Sequence, residues 1–200
     1  MFAYLPPATR WLLLANFAIF GVELATHMQW NALFALEPLG PDFHLWQLVT
    51  YAFLHAGFMH IIFNMFALWM FGSLLELYWG AQRYLLYYFA CVIAAGLVQL
   101  ATTYLSGLDE ATIGASGGIF GLLFAYGFYF PRQKLMLLVL PIPISAWLFV
   151  TLYGVLELVL GVTGSESDVA HFAHLGGMLG GALVILFWRA SHKEGGRLRG

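Results

Sequence analysis

The chain has 200 residues, of which 62% are hydrophobic, 18% are aromatic and only 9% are charged. A soluble domain keeps about a quarter of its residues charged to cover its exterior, so this composition excludes a soluble protein and indicates an integral membrane protein. The formal net charge is -2 and the eight Lys and Arg residues are scattered along the chain, which argues against a nucleic-acid partner.

Six apolar stretches of about 15 to 22 residues are candidates to cross a bilayer core of about 30 Å as helices. They run from about Trp11 to Ala25, Phe58 to Tyr78, Tyr84 to Leu105, Gly114 to Phe130, Pro143 to Val162 and Val169 to Trp188. The fourth stops at Phe130 because Pro131 cannot continue a helix. The sequence therefore predicts an all-α integral membrane protein, a bundle of six transmembrane helices in a single domain over residues 1–200.

The segment 28–56, between the first and second spans, is apolar but does not have the pattern of a span. Pro38 and Pro41 interrupt it, and it carries Trp30 and Trp46. Aromatic residues of this kind collect where the membrane meets water, so we expect an interfacial loop in the headgroup region.

Charge placement predicts the orientation of the six spans. All basic residues fall on one side of this topology, namely Arg10, Arg83, Arg132, Lys134, Arg189, Lys193, Arg197 and Arg199. The loops on the other side carry the acidic residues Glu37, Asp42, Asp109, Glu110, Glu166 and Asp168. Because short cytoplasmic loops retain Lys and Arg, both termini are expected in the cytoplasm. A core of this size favours a bacterial inner (cytoplasmic) membrane.

Polar side chains within membrane helices are costly, so each one is a candidate functional residue. Most of them gather in the outer halves of the second, fourth and sixth predicted spans, or just before the second: His55, His60, Asn64, Ser116, His171 and His174. This clustering predicts a single polar site near the outer face of the membrane.

Ser116 stands among glycines at the predicted start of the fourth helix. The first backbone N–H groups of a helix are unpaired and its dipole is positive there, which suits an oxyanion that develops beside an attacked carbonyl. The pattern therefore makes Ser116 a candidate nucleophile. The alternative is that Ser116 only caps the helix and that the glycines only allow close packing.

A serine needs a base to take its proton, and His174 on the sixth span is the candidate. It shares a helical face with Gly177 and Gly181, which matches the small residues Gly117 and Gly121 on the fourth span. Two small faces let helix backbones approach closely, so His174 is expected to reach the serine. The alternative is a histidine that only forms interhelical hydrogen bonds.

The second span offers His60 and Asn64, four residues apart and therefore on one helical face. Both can donate hydrogen bonds, so they are candidates to stabilise the oxyanion; the alternative is that they tie this helix to its neighbours. Neither nearby carboxylate is expected to orient His174, because Asp168 lies at the mouth of its helix and Glu157 lies on the fifth span, where it is expected to be a buried and protonated link between helices. A Ser–His dyad is therefore predicted in place of a triad. Phe120 is expected to stack on the imidazole of His174 and hold it in position.

Three motifs in this order resemble the rhomboid protease family, in its compact bacterial form with six helices. His60–Asn64 is similar to the HxxxN motif of the family, Gly114–Gly117 to its GxSG and Ala173–Gly177 to its AHxxG. The resemblance implies that Ser116 is the nucleophile and His174 the base.

The resemblance also implies where the oxyanion is held and what is cut. His60, Asn64 and the backbone N–H of Ser116 are expected around the oxyanion. Family members cut single-pass membrane proteins near the outer end of the span, after a small residue, and no cofactor is expected. The chain departs from some members in two places, because Gln47 rather than arginine follows Trp46, and Phe120 replaces a tyrosine.

Two other kinds of protein compete with this interpretation. A histidine-lined metal transporter or metalloprotease could use His171 and His174 with His55 and His60, but the chain has no HExxH motif and only one cysteine, Cys91. A catalytically dead rhomboid-like protein that binds membrane helices would usually have lost the serine or the histidine. We therefore expect an active protease with no metal site.

Overall fold

The computed structural model describes residues 5–27, 29, 31–136, 142–164 and 170–197, with side chains described as far as Ser191. Its elements in chain order are helices α1 (Pro7–Ala25), α2 (Asn31–Phe34), α3 (Gln47–Thr50), α4 (Phe58–Ala67), α5 (Ser73–Trp79), α6 (Ala81–Ser106) and α7 (Ser116–Tyr129), strands β1 (Lys134–Met136) and β2 (Pro143–Ser145), and helices α8 (Ala146–Thr163) and α9 (His171–Arg197). A 3₁₀ turn, Tyr51–Phe53, follows α3, and a π-helical turn, Leu68–Gly72, joins α4 to α5.

Five helical segments of the described chain are long and apolar enough to cross a membrane. They are Pro7–Ala25, Phe58–Trp79, Ala81–Ser106, Ala146–Thr163 and His171–Ser191, and they correspond to the first, second, third, fifth and sixth predicted spans. The prediction of an all-α membrane bundle is therefore confirmed. The fourth predicted span is the helix α7, whose 14 residues extend only about 21 Å, so the count of six spans stays a prediction.

The fifth span begins slightly later than the predicted start near Pro143. Residues Pro143–Ser145 form β2, which pairs antiparallel with β1, and α8 begins only at Ala146. Proline favours extended backbone in the residue before it, and it is tolerated at the first position of a strand, so a short hairpin forms here before the helix.

The helix α7 lies at the centre of the bundle, where α6, α8 and α9 surround it. A Cβ on Gly177 of α9 would collide with the carbonyl oxygen of Gly117, and a Cβ on Gly121 would lie 3.0 Å from the carbonyl oxygen of Gly177. The predicted contact between small faces is thus present at these residues. Gly181 instead faces Tyr87 of α6, because α9 packs against α6 as well as α7 and its small face passes from one to the other.

The loop between α1 and α4 is cross-linked within itself by Gln47, whose side chain is fully buried. Its Oε1 accepts hydrogen bonds from the backbone N–H groups of His44 (3.1 Å) and Glu37 (3.3 Å), and its Nε2 donates to the carbonyl of Asp42 at 3.1 Å. Gln47 therefore anchors the loop where some rhomboid proteases carry arginine. The indole of Trp46 stays 47% exposed, and the interfacial position of the loop stays a prediction.

Basic side chains lie together at one end of the bundle. The guanidinium of Arg83, at the start of α6, lies 5.6 Å from the ring centre of Trp188 near the end of the α9 span. The guanidinium of Arg189 lies 5.7 Å from the ring centre of Phe128 near the end of α7.

Acidic side chains lie near one another at the other end of α6. Burial raises the pKa of the Glu37 carboxyl, and the nearby carboxylates of Asp42 and Asp109 raise it further. The carboxylates of these loops and the guanidinium groups of Arg83 and Arg189 thus lie at opposite ends of the bundle, as the predicted topology requires.

Candidate active site

Ser116 is the first residue of α7, directly after a sharply turned loop. Gly114 in this loop has φ of +124°, a conformation that side chains rarely allow, and its N–H donates to the carbonyl of Tyr51 at 2.9 Å. The first regular helical hydrogen bond runs from the N–H of Ile119 to the carbonyl of Ala115. The N–H groups of Ser116 and the two glycines after it therefore lie at the positive end of the helix, with no helical acceptor of their own.

The Ser116 hydroxyl and the His174 imidazole form a hydrogen bond. The distance between Ser116 Oγ and His174 Nε2 is 2.8 Å. The ring of Phe120, one turn after Ser116, stacks on the imidazole with a centroid distance of 4.1 Å and an interplanar angle of 7°. This is the stacked contact expected from the sequence, and it limits how far the imidazole can rotate.

Glu157 of α8 lies against the other side of the imidazole, so the expectation that no carboxylate reaches His174 is wrong. Its Oε2 lies 2.9 Å from His174 Nδ1 and 2.7 Å from His171 Nδ1. The carboxylate comes this close because Gly161, one turn after Glu157, has no side chain; a Cβ there would lie 3.2 Å from the Cβ of His171. Asp168, the other acidic residue considered, lies outside the described residues.

The arrangement selects one tautomer of His174. Both imidazole Nδ1 atoms face the same carboxylate oxygen of Glu157, and where this oxygen accepts a hydrogen bond from each of them, both Nδ1 atoms carry a proton. In His174 this leaves the lone pair on Nε2, directed at the Ser116 hydroxyl. Serine, histidine and glutamate thus form the three-membered hydrogen-bond chain that nucleophilic serine sites use.

His60 presents a hydrogen-bond donor close to the serine. Its Nδ1 accepts a hydrogen bond from the backbone N–H of Ala56 at 3.3 Å, so the proton of the neutral ring is on Nε2. A Cβ on Gly114 would lie 2.8 Å from this Nε2 and 3.8 Å from Ser116 Oγ, so both atoms border one small volume. The close approach of His60 to the loop requires glycine at that position.

Asn64 and His55 flank His60. The carboxamide of Asn64 is buried and donates one hydrogen bond to the carbonyl of His60 at 2.9 Å. The Asn64 side chain also lines the cavity beside the serine, and its amide group has a second N–H to donate. The ring of His55 packs edge-on against His60 at 5.1 Å. Burial, followed by the neighbouring imidazole of His60, lowers the pKa of His55 to about 4.

A cavity of about 1020 Å³ joins these groups. Its lining includes His60, Asn64, Ser116, Phe120 and His174. The structure thus brings the predicted nucleophile, base, oxyanion donors and Phe120 to one cavity that His55 does not line, and that cavity is large enough for a stretch of extended peptide beside the serine.

The metal site considered in the sequence analysis combined His55, His60, His171 and His174, and the structure groups the residues that can bind a metal differently. Within the described ranges, the ligand atoms that lie within 4.8 Å of one another belong to Glu157, His171 and His174, and neither His55 nor His60 is part of this group.

Comparison with known proteins identifies the family. A profile of the Rhomboid domain matches residues 42–191. "Rhomboid protein 1, mitochondrial" of Saccharomyces cerevisiae is 32% identical over 197 residues, which cover 92% of this chain and 56% of the yeast protein. "Rhomboid-like protein 11, chloroplastic" of Arabidopsis thaliana is 32% identical over 198 residues, 90% of this chain and 64% of the relative. "Rhomboid protease GlpG" of Haemophilus influenzae is 26% identical over 142 residues, 71% of this chain and 69% of the relative.

The chain spans little more than half the length of the yeast relative. The family match nevertheless covers most of this chain and includes all three motifs around the cavity. The protein is therefore a multi-pass membrane protein that belongs to the rhomboid family, a family of intramembrane serine proteases.

Proposed function

We propose that this chain is an intramembrane serine endopeptidase that uses Ser116 as nucleophile and His174 as base. The observation that carries the proposal is the hydrogen-bond chain from Ser116 Oγ to His174 Nε2 (2.8 Å) and from His174 Nδ1 to Glu157 (2.9 Å). With Glu157 as its third member, the proposed catalytic group is a triad and not the dyad predicted from the sequence. Its role is to hold the imidazole and to stabilise the imidazolium that forms during the reaction.

The first half of the reaction forms an acyl-enzyme. Ser116 Oγ attacks the scissile carbonyl carbon while His174 Nε2 takes the hydroxyl proton. The carbonyl oxygen becomes an oxyanion that accepts hydrogen bonds from the Ser116 backbone N–H, the Nε2–H of His60 and the carboxamide of Asn64. When the intermediate collapses, the C–N bond breaks and His174 returns the proton to the leaving amine.

The second half of the reaction releases the acyl group. A water molecule gives a proton to His174 Nε2 and attacks the acyl carbonyl, and the same donors hold the second oxyanion. The ester bond breaks, Ser116 Oγ takes the proton back, and the new carboxyl end leaves. Phe120 keeps the imidazole in one plane through both halves, because its ring covers one face of His174.

The proposed substrates are single-pass transmembrane proteins, cut near the outer face of the bilayer after a small residue. The position of Ser116 supports this. Ser116 begins α7, whereas Phe128 lies near the other end of the helix, beside Arg189 at the proposed cytoplasmic end. The proposed location is a bacterial inner membrane, with both termini in the cytoplasm.

Cleavage of a fluorogenic transmembrane substrate in proteoliposomes tests the proposal. Wild-type protein should cleave it, whereas Ser116→Ala and His174→Ala should each abolish cleavage and still fold, because nucleophile and base act as one unit. Ser191→Ala is the matched control, since Ser191 bonds to the carbonyl of Phe187 within α9. Full activity in either site variant would refute the assignment. Cleavage that depends on metal would favour the metalloprotease, and no cleavage by wild type would favour a helix-binding protein.

A further inference from the structure

The Glu157 carboxylate holds two imidazoles, and the proposed reaction uses only one of them. His171 Nδ1 lies 2.7 Å from the same oxygen that His174 Nδ1 approaches at 2.9 Å. All three side chains are at most 10% exposed. The second imidazole thus belongs to a cluster of three ligand-type groups that the hydrolysis does not require.

The cluster has the ligand types of a zinc site. Zn²⁺ binds imidazole nitrogen and carboxylate oxygen at about 2.0–2.2 Å, commonly with three protein ligands and one water. In a tetrahedral site at such distances the ligand atoms are roughly 3.3 Å apart. In this cluster the ligand atoms all lie within 4.8 Å of one another, with two pairs at 2.7 and 2.9 Å. To reach this spacing, the two short pairs would open by about 0.4–0.6 Å, and the ligand atoms of the two imidazoles, which lie within 4.8 Å of each other, would move to about 3.3 Å apart.

Metal ions can reach the cluster from the cavity. Both His171 and His174 line the cavity that contains Ser116. The negative charge of Glu157 partly neutralises a divalent cation in this buried place, which neutral histidines alone would not do.

We propose that Glu157, His171 and His174 form a binding site for a divalent transition metal such as Zn²⁺, and that the bound metal switches the protease off. The metal binds Nδ1 of both imidazoles, and the proton that each Nδ1 carried moves to Nε2 of the same ring. The neutral ring of His174 then holds its one proton on Nε2, where it donates toward Ser116 and cannot accept the serine proton. Metal binding therefore removes the base without displacing the ring.

The inhibition rests on the proposed protease activity, whereas the binding does not, so the two are measured separately. Binding is measured with Co²⁺ and Zn²⁺ on chelator-treated Ser116→Ala protein, by the visible absorption of bound Co²⁺ and its displacement by Zn²⁺. We expect one saturable site per chain. In the same background, His171→Asn should weaken binding at least about tenfold, because asparagine keeps a donor toward Glu157 but removes the imidazole ligand.

The matched control for binding is His27→Asn. His27 is exposed and has φ of 51°, which asparagine tolerates. This variant should bind the metal like the parent protein. Absence of a saturable Co²⁺ site in the parent protein overturns the proposal whether or not the variants fold, and so does equal affinity in His171→Asn.

Inhibition is measured on active protein with the transmembrane substrate. Zn²⁺ should inhibit the wild type, and a chelator should restore its activity. The His171→Asn enzyme should cleave at nearly the wild-type rate and need at least about tenfold more Zn²⁺ for half inhibition. Equal sensitivity of both enzymes, or activation by the metal, overturns the inhibitory role. If the metal-free protein never cleaves substrate while the binding results hold, the proposed function fails and the metal site stands.

Discussion

Substitution Glu157→Gln separates a triad from a dyad. Glutamine has nearly the shape of glutamate, and its Oε1 can still accept a hydrogen bond from His174 Nδ1, so the neutral ring keeps its orientation. The change removes the negative charge that lies 2.9 Å from the imidazolium of the reaction, in a place where the Glu157 side chain is only 4% exposed. The substitution should therefore reduce stabilisation of the transition state, which lowers kcat, more than it weakens substrate binding.

The size of the effect follows from this contact. A hydrogen bond to a charged group contributes roughly 1.5–3 kcal/mol, and each 1.36 kcal/mol corresponds to about a tenfold change in rate. We expect kcat to fall by about 10- to 150-fold with KM nearly unchanged. Glu157→Ala should be worse and also less stable, because it leaves two buried imidazole donors without their acceptor.

The measurement is steady-state cleavage of the transmembrane substrate by equal amounts of folded protein in proteoliposomes. Melting temperatures of Glu157→Gln and wild type should differ little, which shows that the rate change is not loss of folded enzyme. A kcat of the folded variant within about threefold of wild type would refute the triad and would favour a dyad of Ser116 and His174.

Three further outcomes are expected. Asn64→Ala should slow turnover by about 10²- to 10³-fold, as for loss of other single oxyanion donors, and turnover per folded molecule equal to wild type would exclude that role. A cysteine introduced at Asp109 should react with impermeant thiol reagents from outside, and one at Arg132 should not, because Arg132 belongs to a predicted cytoplasmic loop. The natural Cys91 is buried and should give no background. Labelling of the cysteine at Arg132 from outside would contradict the orientation. His55 has a pKa of about 4 in the folded protein and 6.5 when unfolded, so the unfolded chain binds the extra proton and stability falls as pH drops from about 6.5 to 4. The melting temperature of His55→Gln should fall less over this range than that of wild type, and parallel curves would contradict it.

The sequence was sufficient to predict the helices and the pairing of Ser116 with His174. The length of the apolar stretches and the position of Pro131 predicted the spans. Small residues on two helices predicted a close approach, and the structure has it between Gly117 and Gly177. Such features are local, because they depend on composition and helical spacing alone. The hairpin before α8 was missed because three extended residues carry no periodicity of their own.

Glu157 was missed because sequence does not reveal which faces of two helices meet. Its partner His171 follows 14 residues later, across a connection whose path the sequence leaves open. One signal was present: Glu157 and Gly161 lie one turn apart on the fifth span, so a costly carboxylate shares a face with a residue that permits close packing. Gln47 was undervalued for a similar reason, since its role depends on loop carbonyl and N–H groups that converge only in the folded chain.

A covalent serine-directed probe tests directly whether Ser116 is an activated nucleophile. Metal-free protein in detergent or liposomes is treated with an active-site fluorophosphonate, digested and analysed by mass spectrometry. We expect one adduct per chain, on Ser116, that persists with a chelator present and is lost in His174→Ala. The absence of an adduct on Ser116 in folded wild-type protein, or equal labelling of Ser116 in His174→Ala, would contradict the proposed role of Ser116.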